Sequence, residues 1–336
     1  MSSAPGPNPG LIFQAINAHH QSAALKAGID LNLFSEISNG ANTVEELAKK
    51  TGASQRGIRI LADYLVILGF IAKNGTTYAL TPDSAMFLDR KSKAYMGGVT
   101  QFLTAPMITR PFESLTEIVR TGRTTLPDEG TVSFDNPVWV DFAHSMVPMM
   151  MGAGMEIADL IAGSGDLKVL DIAAGHGMFG VLIAQKNPKA QITALDWANV
   201  LAVAKENAQK FGVADRHTTV PGSAFDTDFG GPYDVILVTN FFHHFDMPTC
   251  EGLMKKIFAA LKPGGRCVTL EFVPNDDRVT PPIAASFAMV MLGSTEKGDA
   301  YTFAEYDRMF SSAGFASSES HDLQRSPETV IVSKKA

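Results

Sequence analysis

The stretch Leu167-Lys-Val-Leu-Asp-Ile-Ala-Ala-Gly-His-Gly-Met-Phe-Gly180 decides the fold. A short apolar run ends in small residues and glycines and then opens into Val181-Leu182-Ile183-Ala184, which predicts a buried strand, a tight turn and the start of a helix. This is the layout of a nucleotide-binding turn. Gly175 and Gly177 lack a Cβ, so the backbone there can take strained angles and let a ligand approach, with the free N–H groups of the next helix turned toward it. Gly175, Gly177 and Gly180 also spell the G-x-G-x-x-G of a dinucleotide site, so the glycines alone leave the ligand open.

Two acids narrow the choice. Asp171 lies inside the strand, and Asp196 ends the next apolar run, Ala190 to Leu195. A carboxylate at a second strand end can accept hydrogen bonds from both hydroxyls of a ribose, which NAD and S-adenosylmethionine (SAM) share. The downstream order favours SAM: Tyr233 to Val238, then Asn240-Phe241-Phe242-His243-His244-Phe245, then Leu261-Lys262-Pro263-Gly264-Gly265 before another strand. With these motifs in this order, the chain resembles the class I SAM-dependent methyltransferases, and more narrowly the small-molecule O-methyltransferases that include plant caffeate, hydroxyindole and bacterial polyketide enzymes. The resemblance runs over almost the whole chain.

From Asp166 to about residue 275 strands and helices alternate, which predicts an α/β fold, a mostly parallel doubly wound Rossmann-like sheet. Ahead of it, Thr43 and Glu46 form a capping box, Ser54 caps a second helix bearing Ile58, Leu61, Leu65 and Leu68, and Asn74-Gly75 turns a small hairpin. Helix, turn, helix and hairpin spell a winged helix. Its second helix offers Arg56 and Arg59 but also Asp63, thin for neutralising phosphates, so a packing module is expected rather than a nucleic-acid reader. The resemblance implies that this domain makes a homodimer. The expected domains are 1–100 for dimerisation, 101–160 as a helical linker and acceptor-pocket region, and 161–336 for SAM binding and catalysis.

Composition agrees with a two-domain globular protein: 336 residues, 45% hydrophobic and 19% charged, with a net charge of -7 that argues against general nucleic-acid binding. Residues 1–110 hold 10 Lys+Arg against 7 Asp+Glu, a net of 10 − 7 = +3, and the remainder is acidic. Cys250 and Cys267 have no neighbours at metal-ligand spacing, which suits a reducing cytoplasm. Met1 to Gly10 lacks the charged start of a secretory signal, and no apolar run approaches the roughly 20 residues that span a bilayer.

Ligands in such sheets bind beyond the carboxyl ends of the strands, which gathers Ala173 to Gly177, Asp196, Gly222 to Phe225, Thr239 to His244 and Glu271 on one rim. The resemblance implies that Asp171, Ala173, Gly175 and Gly177 hold the amino acid part of SAM and that Asp196, followed by Trp197, holds its ribose. Ser223, Ala224 and Phe225 stand where the family flanks the adenine, and Thr239 and Asn240 complete the cofactor rim. Ala173 replaces a usual glycine, Ser223 and Ala224 depart from Gly-Asp-Met-Phe, and Thr239 stands where plant enzymes have lysine.

Methyl transfer to a hydroxyl needs alignment and removal of a proton, and a neutral imidazole suits the second task. His243 matches the family's catalytic histidine and Glu271 the carboxylate that orients it, with His244 as a competing base. A second family carboxylate is absent: Ala300 occupies its position, beside Asp299. That gap leaves methylation at carbon or nitrogen open. Met146, Met150, Phe241, Phe242 and Met289 are the expected acceptor contacts. The methionine stripe from Val138 to Ala162 serves equally as core. Asp276-Asp277 is expected to be a solvated turn, and no metal is called for. The competing hypotheses are an NAD-dependent oxidoreductase on the same glycines and a winged-helix regulator with a SAM-sensing domain.

Overall fold

A computed structural model describes residues 6–127, 130–132, 136 and 138–336. Its contacts divide the chain into two compact units, Met1–Thr100 and Gln101–Ala336.

In the first unit the capping chemistry sets the element boundaries. Helices α1 (Gly10–Asp30) and α2 (Leu33–Ser38) precede α3 (Val44–Thr51), where Thr43 accepts from Glu46 N and the Glu46 side chain returns to the Thr43 amide. Gly52 ends α3 in the left-handed region, and Ser54 caps α4 (Gln55–Ile67) by accepting from Gly57 N. Strands β1 (Ile71–Asn74) and β2 (Thr77–Leu80) form the hairpin, and α5 (Pro82–Phe87) follows. Ile58 and Leu65 of α4 pack with Phe34, Leu47 and Ile71 into this unit's core. Helix α1 contributes little to that core at its start, where Leu11, Ile12, Phe13 and Ile16 are 61–77% exposed.

Prolines break the next segment. The start of the linker expected to be helical is divided into α6 (Val99–Leu103), α7 (Pro106–Thr109), a 3-10 turn (Arg110–Ser114) and α8 (Leu115–Thr121), because Pro106 and Pro111 have no N–H to continue a helix. Thr121 to Pro137, rich in Thr, Gly, Pro and Asp and so predicted as a long loop, lies partly outside the described residues. The stripe from Val138 is likewise two helices, α9 (Val138–Ser145) and α10 (Val147–Ile161), with Pro148 in the first turn of α10.

The sheet then builds by parallel units: β3 (Leu167–Ile172), α11 (Met178–Lys186), β4 (Ala190–Asp196), α12 (Ala198–Lys210), β5 (His217–Pro221), β6 (Tyr233–Thr239), α13 (Met247–Ala260) and β7 (Leu261–Glu271). Helices α14 (Pro282–Ser294) and α15 (Phe303–Ser312) lead to β8 (Ser317–Asp322) and β9 (Thr329–Lys334). Among the described residues the order is β5-β4-β3-β6-β7-β9-β8, with β9 antiparallel to both its neighbours. The central parallel strands β3 and β6 are largely buried on both faces, which is why they read as mostly apolar runs, whereas the edge strand β5 is partly exposed. Strand β8, Ser-Ser-Glu-Ser-His-Asp, is an exposed polar edge with no apolar pattern to announce it. The order reverses direction between β3 and β6, and a ligand crevice opens at such a switch point.

The glycine turn sits at that point, and each glycine does a different job. A Cβ on Gly180 would meet Ile192 Cγ2 at 2.6 Å and one on Gly177 would meet Ala204 Cβ at 2.8 Å, so these two permit close packing of α11 on its neighbours. Gly175, φ 57°, would meet only the Phe142 ring at an ordinary contact distance of 3.7 Å, so it is its left-handed backbone, not crowding, that favours glycine there. Ala173 takes φ 52°, a left-handed conformation that costs an L-residue with a Cβ about 1–2 kcal/mol. Replacing Ala173 with glycine is therefore expected to stabilise this unit by about 1 kcal/mol, after the entropy that glycine loses on folding is subtracted. The chain's two tryptophans, Trp139 and Trp197, both lie in the second unit, so urea unfolding followed by their fluorescence reads the change, and an unshifted midpoint would mean the turn carries no such strain.

Candidate active site

Beyond β6 the chain makes a 3-10 turn, Phe242–His244, and Glu271 at the end of β7 fastens it. Oε1 of Glu271 accepts from Phe241 N at 3.1 Å and from Phe242 N at 2.9 Å. Its Oε2 accepts from Nδ1 of His243, the assignment that keeps the carboxylate an acceptor throughout. Glu271 is fully buried and His243 nearly so. Burial raises the Glu271 carboxyl, and the backbone amides of Phe241, Phe242 and His243 oppose that rise. Burial pushes the His243 imidazole far below its ordinary 6.5. The ring is therefore neutral at working pH, and against an ionised Glu271 its proton sits on Nδ1 and its lone pair on Nε2.

Aromatic rings wall this imidazole. Phe287 of α14 meets it edge-on at 4.8 Å and stacks on Phe272 at 4.2 Å. On the other side the His244 ring lies 4.3 Å from His243 and edge-on to Trp139 at 5.2 Å, and Trp139 leads to Phe142 and then to His176 of the glycine turn. His244 is enclosed by these rings, with Nδ1 buried and unpartnered, and its imidazole is also held low by burial and by its neighbour His243. Sequence patterning missed Phe287 because α14 is apolar nearly all round and displays no face.

On the cofactor side, Asp196 is half-buried at the end of β4, where its Oδ2 accepts from Gly175 N at 2.8 Å and its Oδ1 from Trp197 N at 2.7 Å. Burial raises its carboxyl to about 6 against the pull of those two amides. Trp197 opens α12. Ser223 Oγ accepts from Phe225 N, and Lys256 of α13 donates to the carbonyls of Ala224 and Phe225, pinning that loop. Phe225 is 40% exposed and packs edge-on to Phe245, leaving a ring face for a flat group, whereas Ala224 is buried. Thr239 ends β6 and Asn240 follows it in the left-handed region at φ 54°.

Some expected contacts lie elsewhere. Asp171 is fully enclosed beneath Gly180 and Ile192, so it underlies the glycine turn and does not reach a ligand; burial, with a contribution from Asp196, raises its carboxyl to about 8. Phe242 is also corrected: its ring turns into the sheet core against Phe310 and Tyr306, because consecutive residues of the turn face opposite ways. Phe241 stays on the rim side, packed on Phe245. Met150 is buried with its Sδ 3.8 Å from Asn240 Nδ2, Met146 is buried, and Met289 is 46% exposed. Asp299 does not stand in for the missing carboxylate: it bonds Ala300 N and faces Arg278, while its own amide donates to the His243 carbonyl. Asp277 is spent on the Val279 and Thr280 amides of its own turn.

Comparison with known proteins accords with this geometry. The O-methyltransferase domain model matches residues 141–316 and the O-methyltransferase dimerisation domain model residues 13–90. The chain is 27% identical over 331 residues to the tetracenomycin polyketide synthesis 8-O-methyl transferase of Streptomyces glaucescens, covering 97% of each. A crystal structure from Nostoc punctiforme, described as that of an O-methyltransferase, superposes with a TM-score of 0.95 at 52% identity over 98% of this chain and 100% of that one. The fold of human N-acetylserotonin methyltransferase, solved in complex with SAM, matches with a TM-score of 0.87 at 22% identity over the full length of both. With both family models matched in order along it, this chain belongs to the SAM-dependent O-methyltransferase family.

Proposed function

We propose that the protein transfers a methyl group from SAM to a hydroxyl of a flat, aromatic or polyketide-like small molecule, with His243 as general base. The observation that carries this reading is the buried His243–Glu271 pair, whose geometry leaves Nε2 as a neutral acceptor of a proton. Bound SAM supplies a methyl carbon on a leaving group that is already activated. The chain's residues would do the rest. Gly175, Asp196 and the loop Ser223 to Phe225 would hold the adenosyl and amino acid parts, with Thr239, Asn240 and Trp197 closing the rim. Phe287, Phe241, Met146, Met150 and Met289 would hold the acceptor ring. Nε2 of His243 takes the hydroxyl proton as the acceptor oxygen bonds the methyl carbon and the carbon–sulfur bond breaks. Glu271 stabilises the imidazolium so formed and fixes which nitrogen acts. The aromatic surround from Trp139 to Phe272 favours a planar acceptor, as does the polyketide chemistry named for the Streptomyces relative.

We further propose a homodimer through the N-terminal unit. The exposed apolar start of α1 supports it, since four large apolar side chains in one turn and a half are costly to leave in water. Two buried, unpaired thiols suit a reducing cytoplasm, and no helix among the described residues is long and apolar enough to cross a membrane.

Three outcomes are expected. Incubated with labelled SAM and a panel of hydroxylated naphthoates and anthraquinones, His243→Gln should lose about 10²–10⁴-fold in label transfer while calorimetry shows SAM affinity nearly unchanged. Turnover retained by that variant removes the assigned base. A base with a lowered pKa stays deprotonated as the medium is acidified, so kcat should not fall on passing 6.5 from above, and a limb there would show an ordinary solvated histidine at work. Phe13→Glu combined with Ile16→Glu should yield monomers by light scattering, whereas a dimer that persists places the interface elsewhere.

A further inference from the structure

A second buried carboxyl stands at the same rim, and the chemistry above leaves it idle. Glu328 is 3% exposed and directly precedes β9, whose Thr329 pairs with Glu271. Its Oε2 accepts from Ser326 Oγ at 2.7 Å, while its Oε1 is buried without a hydrogen-bond partner among the described residues. The side-chain amide of Asn240 lies against it, and Asn240 in turn is held at the end of β6 by Leu270 O. The loop before Glu328 is tied to α10, where Glu156 accepts from Gln324 N and Arg325 N.

The charged groups on the elements around Glu328 are few. Glu271 on β7 raises its carboxyl by like charge, Glu156 of α10 is committed to the two amides, and Arg325 of its own loop is exposed. Burial raises the Glu328 carboxyl, the Ser326 hydroxyl and Asn240 amide pull it back, and the Glu271 charge adds to the rise, leaving it at about 7. A buried carboxylate with only the Ser326 hydroxyl and the Asn240 amide beside it is expensive unless something more at the site answers it. A nearby fixed positive charge would do so. A cofactor delivering a methyl to an oxygen held by His243 would lie between the glycine turn and that imidazole, on the rim that Asn240, the residue Glu328 adjoins, also reaches. This placement rests on the reading of His243 as the base.

We propose that Glu328 makes the cofactor site select the charged sulfonium over the neutral thioether left after transfer, entry of the sulfonium being coupled to loss of the Glu328 proton to solvent. A cation favours the ionised form, so binding lowers the proton affinity of this carboxyl and a proton leaves. Loss of the positive charge on transfer reverses the preference, the proton returns, and the product is held less tightly.

The test needs no acceptor. Titration calorimetry of the full-length protein with SAM and with S-adenosylhomocysteine, in two buffers of different ionisation heat across neutral pH, counts the protons exchanged. SAM should release a fraction of a proton that peaks near neutrality, and S-adenosylhomocysteine should release less. Glu328→Gln, which keeps the shape, should lose that difference, and its preference for SAM should fall by about tenfold for each pK unit of coupling removed. Protons released from Asp171, Asp196 or Glu271 would persist in the variant. Should Glu328→Gln fail to fold, Ser326→Ala carries the test: without the hydroxyl that pulls the carboxyl down, the release should peak at higher pH. A Gln variant with the wild-type difference, a wild type that releases as much with S-adenosylhomocysteine, or a Ser326→Ala peak that does not move would each overturn the proposal. Failure of the base assignment shows separately, as turnover by His243→Gln.

Discussion

The structure at the rim depends on one buried charge. Glu271 sits at the end of a central strand with no water to solvate it, so its two oxygens must find donors within the protein, and they find the Phe241 and Phe242 amides and the His243 ring. Those three donors belong to one short turn. Satisfying the carboxylate therefore fixes the turn, sends Phe242 into the core beside Phe310 and Tyr306, and presents the imidazole edge-on to Phe287. A single electrostatic requirement thus orders both the packing behind the turn and the proposed base in front of it.

The cofactor side obeys a different constraint, the backbone's. Ala173 and Asn240, at the ends of the adjacent strands β3 and β6, both take left-handed angles, as do Gly175 and Gly177. The chain bends sharply at the point where strand order reverses, and the amide of Gly175 is turned onto Asp196. Strain collected at this position is supported from beneath by the enclosed carboxyl of Asp171 and the close contacts at Gly177 and Gly180.

Several buried carboxyls share this rim: Asp171, Asp196, Glu271 and Glu328 each have a proton affinity raised by burial. Their donors differ. Glu271 is fully satisfied, Asp196 has both oxygens engaged by amides, and among the described residues Glu328 keeps one oxygen without a hydrogen-bond partner while Asp171 has only the Gly180 amide beside it. Buried carboxyls suit a cationic ligand, and Glu328 is the member proposed to respond to one entering or leaving.

Local chemistry was legible from the chain alone. The apolar run to Ile172, the glycines after it, the capping box at Thr43 and the alternation of strands with helices are short-range signals, and each specifies its element through neighbours a few residues away. The pairing of His243 with Glu271 was reachable only because a family pattern stands behind those positions. What tertiary structure alone decided is which side chains meet. Phe242 and Phe241 are neighbours of one type in the sequence, yet one joins the core and the other the rim. Glu328 reads as an ordinary loop charge, and the polar strand β8 as no strand, until β9 pairs with both β7 and β8. Orientation, burial and the company of a charge depend on segments distant in the chain, and no local pattern encodes them.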